Sequence, residues 1–178
     1  MSFEILIIDD NSDIRLILDE LITEAGYKTR MAANYNQALT EIDKKLPDVA
    51  IIDVKLDKGD NDGIELLTHI KKKNKDIPVI IISGHANIDM AIKSLKSGAF
   101  EFIQKPFDKD RLLNFIKRAV ENINLKNENS ILKNKLFHTF EIIGQSENIL
   151  SIKEQIEKIS TSESRVFISG PTGSGKEL

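Results

Sequence analysis

The chain has 178 residues, 40% apolar and 30% charged, with a formal net charge of −3 and no cysteine. That balance allows a buried core, excludes a disulfide framework or thiolate metal site, and lacks the basic excess expected of a nucleic-acid binder. No apolar stretch approaches ~18 residues and a strand-like run starts at Glu4, so neither a membrane span nor a signal peptide is expected and the cytoplasm is the expected setting.

Glu4 to Ile8 is a short apolar run ending in Asp9 and Asp10. Ile14, Ile17, Leu18, Leu21 and Ile22 then recur at helix spacing until Gly26. A weak strand near Lys28 to Ala32 leads to a helix through Ala38, Leu39, Ile42 and Leu46, which Pro47 breaks. Val49 to Asp53 is a buried strand, and the polar stretch Asp57 to Asp62 precedes a helix carrying Ile64, Leu66, Leu67 and Ile70. Pro78 to Ile82 is the most apolar strand, a helix from about Asn87 to Ser97 stops at Gly98, and Ala99 to Ile103 is the last strand. Strands that read as continuous apolar runs and alternate with helices predict an α/β fold, a doubly wound five-stranded parallel sheet with helices on both faces.

Ligand sites of such sheets lie at the carboxyl ends of the strands. Asp9 and Asp10 end the first strand and Asp53 the third, which are neighbours in a doubly wound sheet. Two unit charges ~4 Å apart repel by about 4 kcal/mol at an effective dielectric of ~20, so such a trio needs protons or a cation. Oxygen ligands without His or Cys favour a hard ion such as Mg²⁺. Each Asp taken alone reads more readily as a solvated strand-end acid; the convergence carries the functional reading. Ser83 and Lys105 follow two further strands and add a hydroxyl and an ammonium.

Asp9-Asp10, Asp53, Ser83-Gly84 and Lys105-Pro106-Phe107 stand in an order that resembles the receiver domains of response regulators, over residues 3 to about 122. The resemblance implies a flavodoxin-like fold in which Asp53 accepts a phosphoryl group from a sensor histidine kinase. It also implies that Asp9, Asp10, Asp53 and the backbone carbonyl of Lys55 bind Mg²⁺. Ser83 and Lys105 would bind the new phosphoryl oxygens, Phe102 would be the switch aromatic, and Lys105–Pro106 would be cis. Phe102 stands where many relatives carry tyrosine, and the loop from Asp53 to Asp62-Gly63 is longer than the common pattern; it either alters kinase docking or is a solvated loop. Lys55 and His85 border the path of the hydrolytic water in this family, so both are expected to tune phosphate lifetime.

Leu113, Ile116, Val120 and Ile123 form a stripe expected to pack on the sheet, and Leu125, Asn129, Leu132 and Leu136 then repeat with 4-3-4 spacing. That seam reads either as a dimer-forming coiled coil or as a polar linker helix. Ser146 is a plausible N-cap for a helix carrying Ile149, Ile152, Ile156 and Ile159. Arg165 to Ser169 reads as a strand leading into Gly170-Pro-Thr-Gly173-Ser-Gly175-Lys176, a phosphate loop whose backbone N–H groups face phosphate oxygens. Together with Glu177 after the lysine, this resembles the start of the AAA+ domain of sigma-54-dependent activators, and the wording around Ser83 is most similar to the nitrogen-regulation, NtrX/NtrC-like members.

The expected organisation is a receiver over residues 1–122, a helical linker over 123–139 and the truncated start of an AAA+ domain over 140–178. The leading reading is a two-component signalling acceptor that is not a multiple-turnover enzyme. A homodimer would form through the receiver face and linker. Sigma-54 RNA polymerase, DNA and ATP would be engaged only through the full-length protein, and no membrane. Rival readings are a P-loop ATPase fragment, a stand-alone phosphoryl-accepting dimerisation module, and an Asp-nucleophile phosphatase. The last needs an acid/base Asp two residues after the nucleophile, where this chain has Lys55.

Overall fold

The computed structural model describes residues 3–84, 88–139, 142–160 and 165–173, with the side chains of 133–139 outside that description. Five strands, β1 (Glu4–Ile8), β2 (Lys28–Ala32), β3 (Val49–Asp53), β4 (Val79–Ser83) and β5 (Glu101–Gln104), alternate with α1 (Ser12–Glu24), α2 (Tyr35–Lys44), α3 (Asp62–Lys73), α4 (Ile88–Lys96) and α5 (Lys109–Thr139). A further helix, α6 (Glu147–Ser160), follows. The sheet is wholly parallel in the order β2-β1-β3-β4-β5. This is the expected doubly wound sheet.

Strand side chains alternate between faces, which divides the core in two. On one side Leu6, Ile8, Ala50, Ile52, Val79 and Ile81 pack against α2 and α3 through Ala38, Ile42, Leu66, Leu67 and Ile70. On the other, Ile5, Ile7, Val49, Ile51, Ile80, Ile82 and Ile103 meet α1 and α5 through Leu18, Ile22, Leu112, Ile116, Ala119 and Val120. The central strands are buried on both faces, which is why they read as uninterrupted apolar runs. Asn11 caps α1, its side-chain oxygen accepting from Asp13 N and Ile14 N at 2.9 and 3.3 Å. Gly26 sits just past that helix with φ +88°, a conformation that suits a residue without Cβ.

Four expectations change in detail. Ile17 is exposed on α1, and the buried stripe of α5 runs through Leu112 and Ala119, with Leu113 only partly covered. Ser83 is the last residue of β4 rather than the first beyond it. Arg165 to Ser169 is not a strand: Val166, Phe167 and Ile168 are exposed, and no strand among the described residues pairs with them. A strand needs a ladder partner to satisfy its backbone groups, which periodicity alone cannot supply.

The chain divides into two units, Met1–Lys126 and Asn127–Leu178. In the second, Ser146 does cap α6, its hydroxyl accepting from Ile149 N at 3.4 Å and its carbonyl from Leu150 N at 3.0 Å. Among the described residues no helix is long and apolar enough to cross a membrane.

Candidate functional site

β1 is hydrogen-bonded to β2 on one side and to β3 on the other, so the chain leaves it in opposite directions and a crevice opens at its carboxyl end. Asp9 and Asp10 follow β1, and Asp53 is the last residue of β3. A carboxylate oxygen from each lies within 4.8 Å of the others. Asp9 and Asp53 are buried and Asp10 is exposed, so the trio has two fixed walls and one face toward water.

Lys105 enters from the β5–α5 connection and donates to Asp9 Oδ2 at 2.6 Å and Asp53 Oδ2 at 2.7 Å. Its backbone N–H donates to Ser83 O at 2.8 Å, tying it to the end of β4, and the Lys105–Pro106 bond is cis. Burial raises the Asp53 carboxyl above the ordinary carboxylate range, and the Asp9 charge adds to this against the opposing pull of Lys105. Burial works against the Lys105 ammonium, but its bonds to Asp53 and Asp9 hold its pKa above the usual lysine value. Three ionised carboxylates against one ammonium leave two negative charges in excess. An all-oxygen donor set with that excess fits a hard divalent cation such as Mg²⁺.

The remaining residues are placed as follows. Ser83 is buried at the end of β4, beside Asp53 in register, since Asp53 pairs with the preceding Ile82. Its hydroxyl lies 3.9 Å from the Met90 sulfur of α4. Phe102 on β5 is half-buried against the α3 side of the core. Lys55 is exposed, and its ammonium pairs with Asp60 at 2.8 Å. His85 lies outside the described residues. Leu125, Asn129 and Leu132 are exposed on α5, whereas the Leu136 side chain lies outside the description. Gly170 and Gly173 are described, with Gly173 in a turn at φ +82°, and Gly175 and Lys176 are outside. The structure thus brings Asp9, Asp10, Asp53 and Lys105 into one cluster with Ser83 on the adjoining strand end.

Three supporting residues were not legible in the sequence. Gly63 opens α3 against β3 so closely that a Cβ would sit 2.1 Å from the Asp53 carbonyl oxygen. Asp62 is a buried carboxylate that turns back to accept from Lys58 N and Gly59 N at 2.9 and 2.7 Å, shaping the loop beside the acceptor. Arg15 of α1 donates through Nη1 to the carbonyl oxygens of Asp9 and Asp10 at 2.7 and 3.0 Å. Arg15 lies on a helix face like any solvated basic residue, so spacing gave no signal for it.

The family model described as "Response regulator receiver domain" matches residues 5–117, and that described as "Sigma-54 interaction domain" matches 142–178. A putative NtrX-like response regulator of Rickettsia bellii is 42% identical over 98% of this chain and 37% of its own length. The nitrogen assimilation regulatory protein NtrX of Azorhizobium caulinodans is 38% identical over 100% of this chain and 39% of its length. The crystal structure of Brucella abortus NtrX in complex with ATP is similar with a TM-score of 0.69 at 38% identity, covering 100% of this chain and 39% of that one. The chain therefore spans a little over a third of the length of the relatives it matches.

Proposed function

We propose, from the premise that this chain belongs to the response regulators with a receiver domain of the NtrX/NtrC-like, sigma-54-activator type, that Asp53 accepts a phosphoryl group from a histidine kinase. The observation that carries the proposal is the Lys105 ammonium held between Asp9 and Asp53 inside a trio of carboxylates.

An Asp53 oxygen attacks the phosphorus of a phosphohistidine in line. A P–O bond forms, the P–N bond breaks, and its electron pair leaves on the imidazole nitrogen. Lys105, already within hydrogen-bond reach of Asp53, exchanges that carboxylate oxygen for a phosphoryl oxygen and keeps its charge beside the new anion. Held by Asp9, Asp10, Asp53 and the Lys55 carbonyl, Mg²⁺ would supply charge neutralisation on the transferring group. Asp9 stays fixed through Asn11 N at 3.0 Å, so the site does not collapse when Asp53 is phosphorylated. The Ser83 hydroxyl turns from Met90 toward the phosphoryl group, which changes what holds α4. Lys55 and His85 bear on the lifetime of the product.

The chain acts as a stoichiometric acceptor rather than a multiple-turnover enzyme. Dimerisation through the receiver face and linker helix, and ATP use, sigma-54 polymerase contact and DNA binding by the longer protein, complete the proposal. Incubation with Mg²⁺ and a small acyl phosphate should bring phosphoryl incorporation to a plateau near one group per chain, with the donor's carboxylate as the leaving group. Inorganic phosphate should then appear only as fast as the aspartyl phosphate hydrolyses. Sustained fast hydrolysis of phosphoesters would indicate a phosphatase instead.

A further inference from the structure

We infer that Arg15 is a positioning residue for the cation site, setting the backbone of the Asp9–Asp10 pair so that both carboxylates reach the crevice with Asp53. The inference rests on reading the acidic trio as a cation-assisted acceptor site.

Consecutive residues of an extended chain point their side chains in opposite directions. Asp9 and Asp10 nevertheless bring carboxylate oxygens within 4.8 Å of each other and of Asp53. The backbone beyond β1 must therefore leave the extended form, and its two carbonyls must be held in the new one. Both accept from a single nitrogen, Arg15 Nη1, at 2.7 and 3.0 Å. One guanidinium nitrogen carries two hydrogens in a fixed plane, which suits two successive carbonyls; a lysine ammonium has no such plane. Arg15 is itself set in place by α1, its backbone N–H donating to Asn11 O at 3.1 Å within the first turn after the Asn11 cap.

Asp9 has further anchors: Asn11 N at Oδ1 and Lys105 at Oδ2. Asp10 is exposed, and its hydrogen-bond tether among the described residues is the carbonyl bond to Arg15. Loss of the guanidinium fork should therefore release Asp10 first. A purely electrostatic role has the opposite sign. Removing a positive charge near three carboxylates would strengthen binding of a dication, whereas removing a positioning group weakens it.

The test is Mg²⁺ titration of the full chain by calorimetry, with amide NMR shifts at Asp10 and Asn11, for wild type, Arg15→Lys and Arg15→Gln. Groups that orient metal ligands from outside typically contribute about 10- to 100-fold to affinity. Both variants are expected to raise the Mg²⁺ Kd roughly tenfold or more, with metal-free melting close to wild type and altered Asp10 and Asn11 amide shifts. Arg15→Lys with wild-type affinity would overturn the inference, because charge alone would then suffice. So would tighter binding by Arg15→Gln, or unchanged affinity with lowered melting, which would mark a brace of the fold only. A wild-type chain that takes no Mg²⁺ would overturn the acceptor reading and this inference with it.

Discussion

At Asp53 burial and ion pairing pull the carboxyl in opposite directions, and burial wins. The folded pKa lies above the unfolded one, so the folded chain binds more protons and loses stability as pH rises through that window. Asp53→Asn keeps the shape, removes the desolvated charge and leaves Lys105 its bond to Asp9. Metal-free Asp53→Asn is expected to be about 1 kcal/mol more stable than wild type at pH 7, a rise in Tm of roughly 3–5 °C. The difference should close as pH falls through the raised Asp53 pKa, where the wild-type carboxyl becomes neutral. Thermal melts across pH check this, and a destabilised Asp53→Asn at neutral pH would contradict it. At this scale the five residues were readable because each ends or closely follows a strand of a sheet whose ligands gather at strand ends. Arg15 was not, because its role depends on where the turn after β1 places two carbonyls.

Between elements, the decisive contact is the start of α3 against the end of β3. Gly63 allows the helix to lie on the Asp53 backbone, and any Cβ there would overlap the Asp53 carbonyl and the Val54 Cα. Gly63→Ala is expected to cost about 3 kcal/mol or more in chemical denaturation, since neither element can yield without moving the acceptor. Asp62→Ala should cost about 1–3 kcal/mol by leaving the Lys58 and Gly59 amides without their acceptor. It should also open the 57–61 loop to limited proteolysis; resistance equal to wild type would contradict that. The helices and central strands were legible from period and burial, but this loop was not. Its polar residues look like any solvated stretch until Asp62 is seen folded beneath them.

For the molecule as a whole, α5 carries the receiver fold through Lys126 and continues into the second unit. Leu125 and Leu132 are 62% and 58% exposed, and with Ile131, also exposed, they are the apolar side chains of the stretch 125–132. If the seam pairs with a second copy, replacing both by aspartate should lower self-association after acyl-phosphate treatment, measured by sedimentation; an unchanged weight-average mass would assign dimerisation elsewhere. The Arg165 to Ser169 segment shows where local pattern stops sufficing. Its run of three consecutive apolar residues is strand-like, yet a strand is defined by partners, and none of the described residues supplies them.

The central claim is tested most directly by intact-mass and peptide mapping after incubation with Mg²⁺ and a small acyl phosphate. Wild type should gain one base-labile phosphoryl group on the peptide containing Asp53, and Asp53→Asn should gain none. An unmodified wild type, or equal modification of the variant, would contradict the account.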